Sequence, residues 1–273
     1  MKKYVVLDKA VGQTPLQSAE LWRASQPSIY ATVPLSYAGR LDPMASGKLL
    51  VLIGDECKQQ ERYHGLDKCY EFSVLLGVSS DTGDVLGRLQ IESTVPTVTA
   101  ADLRSAARTL TGNITLPYPH FSAKTVKGKP LHVWTLEGRL DEIEIPQQSS
   151  TVYSLTLQNV RTLTRTEIYS EVTNKIETIT PVTDASKALG NDFRRVDVRS
   201  DWKQFMETAT ATDRFTIVTF ACVASSGTYM RSLAEEIGKL VGSKALAYHI
   251  HRTHIGNYLP LPFGLGFWRL KFH

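Results

Sequence analysis

Apolar and polar positions repeat along this chain with two different periods, and each change of period marks an element. Tyr70, Phe72, Val74 and Leu76 recur at every second residue between mostly less apolar neighbours, which predicts a strand with one face on the core. Phe215, Ile217 and Thr219 interleave with Val218, Phe220 and Cys222, the pattern of a strand buried on both faces. The run Leu49-Leu50-Val51-Leu52-Ile53 reads as a buried strand over 48–53, and residues 4–7 as a short opening strand. Helical spacing appears in three places. Pro15 opens a stretch through Leu16, Ala19, Leu21 and Trp22. Thr99 and Asp102 form a capping box ahead of Leu103, Ala106, Ala107 and Leu110, with Gly112 as the stop. Met230, Leu233, Ala234, Ile237, Leu240 and Val241 make an amphipathic stripe that ends at Gly242. Strands and helices do not alternate strictly, so the pattern favours an α+β fold over a doubly wound one.

Residues 161–213 break these patterns. They are rich in Thr, Asp, Glu, Lys and Arg and poor in large apolar groups, and read as an insertion or surface subdomain. Within them, the β-branched residues of Glu177–Asp184 favour strand, while Pro181 restricts it to an edge or a turn. Residues 257–273 form a short tail that packs on the core or caps it, leaving 1–256 as the main domain.

Composition narrows the class. Of 273 residues, 42% are hydrophobic, enough for a sizeable core. A net charge of +4 and a pI near 8.9 are compatible with an RNA partner without requiring one. Cys57, Cys69 and Cys222 are scattered, which suggests neither a disulfide framework nor a zinc site. His249, His251 and His254 lack a nearby carboxylate or cysteine and are more simply structural or RNA-facing. The N-terminal apolar stretch is too short for a signal peptide, and no run reaches the length of a membrane span. The expectation is a soluble cytoplasmic protein.

Chemistry concentrates in Ala38-Gly39-Arg40-Leu41-Asp42-Pro43-Met44-Ala45-Ser46-Gly47, where a carboxylate sits on a stiff loop leading into a buried strand. Asp-Pro turns with a surface acid are common, so this segment alone leaves both meanings open. Three further segments follow it: Lys68-Cys69-Tyr70 opening a strand, Asp81-Thr82-Gly83-Asp84 with Gly87, and Ser225-Ser226-Gly227-Thr228-Tyr229-Met230-Arg231 where a strand passes into a helix. Phe121-Ser122-Ala123-Lys124, Gly128-Lys129-Pro130-Leu131 and His251-Arg252 before Gly256 complete the set. In this order and context the segments resemble the bacterial tRNA pseudouridine-55 synthase family, over roughly residues 4–160 and 214–256.

The resemblance implies a catalytic domain with a mixed, largely antiparallel central sheet flanked by helices. It implies an isomerase that flips a T-loop uridine out of tRNA, cleaves its glycosidic bond and rejoins it through carbon, with no cofactor and no metal. Asp42 matches the catalytic aspartate, as nucleophile or as base. Arg231 matches the arginine that keeps that carboxylate ionised. Tyr70 matches the tyrosine that stacks on the flipped base, although its strand position also suits a core tyrosine. Lys68 supports the pocket or touches phosphate, and Ile250 packs under the base or in the ordinary core. Arg40, Lys124, Lys127, Lys129 and Arg252 are candidate phosphate contacts. Asp81, Thr82 and Asp84 hold their loop through local hydrogen bonds. The partner is the T-arm of tRNA, met by a monomer.

Four departures stand beside the resemblance. Tyr37 occupies the place of a usual histidine that helps extrude the base; an aromatic ring there can still stack on the substrate. Lys9-Ala10-Val11-Gly12 lacks the proline of the family's Lys-Pro-x-Gly motif. Residues 161–213 look longer than the usual connection, and a separate C-terminal RNA-binding domain is not expected. These departures keep two alternatives in view: a non-catalytic tRNA-binding or folding factor, and a synthase with another RNA target.

Overall fold

The structure, a computed structural model, describes residues 2–93, 96–179, 190–208, 214–261 and 265–272. The chain opens with β1 (Tyr4–Lys9) and α1 (Pro15–Ala24), then β2 (Leu35–Ala38) and β3 (Ala45–Ile53), which bracket the Asp42 loop. β4 (Asp67–Leu76) and the short hairpin of β5 (Val78–Ser80) and β6 (Leu89–Ile91) lead to α2 (Ala100–Thr109) and β7 (Gly112–Pro117). A small excursion holds β8 (Thr125–Val126), β9 (Lys129–Pro130) and α3 (Leu131–Leu136). The long β10 (Gln147–Thr164) runs into α4 (Arg165–Glu177), followed by α5 (Gly190–Glu207), β11 (Arg214–Ala224), α6 (Met230–Leu240), β12 (Ala245–Pro260) and β13 (Gly266–Phe272).

Among the described residues, nine strands form one sheet in the order β1-β3-β12-β4-β11-β10-β7, with β13 paired to β12 and β2 to β3. Every pairing is antiparallel except β12 with β3, where Ile250, His251 and Arg252 run parallel to Ala45, Ser46 and Gly47. The sheet is therefore mixed and largely antiparallel, as expected. The two strand patterns read from the sequence fall on β4 and β11, which pair with Tyr70 opposite Cys222 and Phe72 opposite Phe220. The capping box expected at Thr99 is formed, and Thr14 makes a second: the two threonines accept from the backbone of Asp102 and Gln17, whose side chains reach back to the cap. Gly112 opens β7 rather than stopping α2, which ends at Thr109 with Leu110 as its cap.

The stretch 161–213 does not stand apart as a surface subdomain. Its first residues complete β10, which pairs with β11 as far as Thr164 opposite Arg214. Thr164 and Glu167 cap α4, and Ile168, Val172 and Ile176 recur every fourth residue on its buried side. Val198, Trp202 and Phe205, spaced by four and then three residues, form the buried side of α5. All six belong to the core cluster that holds Phe72, Val74, Phe220 and Met230, Leu233, Ala234 and Ile237 of α6, whereas Leu240, expected in the same stripe, is exposed. The composition concealed a narrow apolar stripe among polar residues, and a narrow stripe is enough to dock a helix. Glu177 ends α4 rather than opening a strand, and 180–184 lie outside the described residues. The boundary expected at 256 falls inside β12, because β13 returns along Ile255–Pro260 and buries Phe272 against Ala38, Leu50 and Leu52.

Trp202 is fully buried, and its indole N–H donates to the Val85 carbonyl at 2.9 Å. Replacing Trp202 with Ala is expected to destabilise the chain by about 3–5 kcal/mol. In urea unfolding the loss should appear in one cooperative transition; a separate early transition of the helices would contradict a shared core.

Candidate active site

Asp42 lies between β2 and β3, in a turn closed by the Ala45 N–H donating to its carbonyl at 3.0 Å. Two close contacts fix where that turn sits. Gly47 has φ +103°, and a Cβ there would stand 2.2 Å from the Arg252 carbonyl oxygen, so only glycine lets β3 pass β12 this closely. Arg252 itself is 1% exposed. Its guanidinium donates to the carbonyls of Lys48 at 2.7 Å, Gly39 at 3.3 Å and Arg40 at 3.4 Å. The arginine is thus a brace inside the loop, which corrects its expected place at a phosphate.

Arg231, on the first turn of α6, comes to the loop from the other side. Its Nε donates to Asp42 Oδ2 at 2.8 Å, Nη1 to the Thr82 carbonyl at 2.7 Å, and Nη2 to the Phe121 carbonyl at 3.2 Å. The arginine side chain is 5% exposed and that of Asp42 40%. A buried cation therefore holds a carboxylate that remains open to a substrate. A second carboxylate, Asp84, stands 3.8 Å from the same Nε and is itself buried. It accepts from Thr82 Oγ1 at 2.8 Å and the Leu86 N–H at 2.9 Å, the local bonds expected of this loop, and in addition faces Arg231. Burial pushes Asp84 from the ordinary 3.8 up to about 6, with Arg231 opposing the rise.

Tyr70 sits on β4 opposite Arg252, buried in the cluster that contains Leu41, Met44 and Ile250. Burial raises its hydroxyl pKa, while the Arg252 guanidinium pulls it down and the Asp42 charge adds to the rise. Lys68, on the same strand face, is buried. Its Nζ donates to Ser226 Oγ at 3.2 Å and to the Leu66 carbonyl, and desolvation brings it down to about 8. Ile250 is 3% exposed, opposite Phe72 in register. Asp42, Arg231, Tyr70, Lys68, Ile250 and Arg252 thus gather around one loop.

The other expected contacts spread out. Arg40 is exposed, and its charge acts on the Tyr229 hydroxyl. Lys124 is exposed, with Nζ 5.1 Å from the centre of the Tyr118 ring. Tyr118 meets Tyr229 edge-on at 5.5 Å, which places a pair of aromatic rings beside Arg231. Lys127 donates to the Glu142 carbonyl at 3.0 Å. Lys129 is committed to Glu137 at 2.6 Å and lies over the Trp134 ring at 4.5 Å, rather than standing free for a phosphate. Tyr37 packs in a small cluster with Ala19, Leu49 and Val51 on the α1 side of the sheet. Tyr229 is a member of the site that the sequence did not single out, although it stands inside a quoted segment, and Asp84, expected only to hold its loop, also faces Arg231. No group of three or more metal-ligating side chains occurs among the described residues.

Because the folded Asp84 titrates above the ordinary carboxylate value, the stability that its neutral form contributes is complete below pH 3.8. It is lost as pH rises through about 6. The unfolding free energies of the wild type and Asp84→Asn should therefore lie close at the acid end. They should diverge between about pH 4 and pH 6 and stay a constant distance apart above that, with the Asn variant gaining on the order of 3 kcal/mol. A difference that does not change with pH would contradict this.

Comparison with known proteins fits this geometry. Residues 28–180, which include Asp42 and Tyr70, match the model of the TruB family pseudouridylate synthase (N terminal domain). The chain is 27% identical over 256 residues to tRNA pseudouridine synthase B of Caldicellulosiruptor saccharolyticus, covering 94% of this chain and 68% of that protein. It is equally similar, at 27% over 256 residues, to the enzyme of the same name from Marinomonas sp., covering 94% of this chain and 64% of that protein. The chain thus spans about two thirds of the length of these relatives. In fold it resembles a chain in the crystal structure of a Cbf5-Nop10-Gar1 complex, with a TM-score of 0.53 at 16% identity, over 93% of this chain and 48% of the other. With more than half of its length matched by the family model, the chain belongs to the TruB family of pseudouridylate synthases.

Proposed function

We propose that this chain is a tRNA pseudouridine synthase, acting as a cytoplasmic monomer on the T-loop uridine at tRNA position 55. The observation that carries the reading is the bond from buried Arg231 to the accessible carboxylate of Asp42. Isomerising a uridine requires an ionised carboxylate at the ribose, as nucleophile or base, in a pocket that receives a base taken out of its stack. Arg231 holds the Asp42 carboxylate through its Nε, and its other two nitrogens are anchored on backbone carbonyls, so it does not follow the substrate. Tyr70 offers a ring face for the base, with Ile250 in the same apolar floor. Arg40 and Lys124 are the exposed cations near the site that suit phosphate contact.

The test is to incubate the protein with unmodified tRNA and map pseudouridine by position. Wild type should convert the T-loop uridine. Asp42→Asn should give no product while binding tRNA within a few-fold of wild type. Conversion by Asp42→Asn at the wild-type rate would overturn the mechanism, conversion elsewhere would reassign the target, and binding without any product would favour a folding factor. Arg231→Lys keeps the charge but cannot reach all three acceptors, and is expected to lower kcat by on the order of 100-fold. Retention of full kcat in single-turnover assays would contradict the role given to the guanidinium.

A further inference from the structure

The motif Lys9-Ala10-Val11-Gly12 lies directly against the loop that carries Asp42. The Gly12 N–H donates to the Pro43 carbonyl at 2.8 Å, so its peptide plane is bonded to the residue next to Asp42. From the opposite side the end of α4 presses on the same glycine. A Cβ on Gly12 would stand 2.3 Å from the Thr178 carbonyl oxygen and 2.6 Å from its carbonyl carbon, and the glycine has φ +88°. Gly12 is therefore held between the last turn of α4 and the Asp42–Pro43 turn, with no room for a side chain.

The turn that presents Gly12 is stitched from within. Lys9 Nζ donates to the carbonyls of Ala10 at 3.0 Å and Gln13 at 2.7 Å. Gln13 Oε1 accepts from the Ala10 N–H at 3.3 Å and from Ser18 Oγ of α1 at 2.9 Å. A proline at position 10 would have no N–H to give and would stiffen the turn through its fixed φ instead. Here the Gln13 side chain ties the turn to α1. On the far side, α4 is fixed by Ile168, Val172 and Ile176 in the core and by Lys175 Nζ on the Tyr248 carbonyl at 2.7 Å.

We propose that Gly12 is a positioning residue for the reaction, transmitting the seating of α4 to the Asp42 turn, with Gln13 holding the turn that presents it. The 161–213 stretch then serves the site mechanically, although no charged side chain of α4 takes part in it. The proposal rests on the proposed uridine isomerisation and gives that reaction a support outside its charged residues.

The experiment measures single-turnover pseudouridine formation, tRNA binding and backbone amide exchange at Gly12. Gly12→Ala should lower kcat by about 10- to 100-fold with tRNA affinity changed less than about threefold, because a small displacement of a reacting group is costly while the binding surface is untouched. Gly242→Ala is the control. It carries the same backbone strain at φ +71° with nothing within 4 Å of its Cβ, at the far end of α6, and should keep wild-type kcat. Gln13→Ala introduces no clash and should lower kcat by about fivefold, again without loss of affinity; it decides the matter if Gly12→Ala does not fold. Ile176→Ala, which loosens α4, should speed exchange of the Gly12 amide while leaving the β3 amides unchanged. Full kcat in Gly12→Ala, or in Gln13→Ala when only that variant folds, would overturn the proposal, as would Gly12 exchange indifferent to Ile176. A wild-type chain that makes no pseudouridine would instead overturn the reaction assigned to the site, and the positioning role with it.

Discussion

The guanidinium of Arg231 is the group on which the site depends. It is almost fully buried, and a buried cation is tolerated only where its charge and its donors are met. Asp42 and Asp84 meet the charge, and the carbonyls of Thr82 and Phe121 meet the remaining donors. These four partners come from three separate loops, so one side chain ties together the turns after β2, β5 and β7. The same network that stabilises the fold therefore also fixes the candidate nucleophile or base.

Beneath the Asp42 turn lies a second buried cation set with a different job. Arg252 and Lys68 are directed at backbone carbonyls rather than at carboxylates. Lys9, as buried as Arg252, does the same, and desolvation brings both lysines down to about 8. These groups shape the loop and leave Asp42 as the exposed acid on top of it. Asp84, held in the interior with its titration moved toward neutrality, complements Arg231 without reaching solvent. Two acids around one arginine thus differ in exposure, and only one of them is placed to meet a substrate.

Much of this was legible in the sequence, for reasons that differ by residue. The period-2 pattern put Tyr70 on the same face as Phe72 and Val74, and all three are buried together. The loop bonds of Thr82 and Asp84 were readable because they are local. The Arg231–Asp42 bond spans 189 residues, and no spacing rule reaches that far; it was expected only because the segments resemble a family. Arg252 and Lys129 were misplaced because a charge in a sequence gives no sign of the carbonyls or carboxylates that will surround it. The helices of 161–213 were hidden for the opposite reason. Ile168, Val172 and Ile176, and likewise Val198, Trp202 and Phe205, are few, and only their spacing reveals that they face one way.

The account stands most directly on where a uridine lies relative to Asp42 and Arg231, which a crystal structure of the chain with a T-arm stem-loop would measure. The account predicts an extruded uridine stacked on Tyr70, its ribose facing the Asp42 carboxylate, with the Arg231–Asp42 bond retained. A uridine left in its stack, or Arg231 turned from Asp42 to a phosphate, would contradict it.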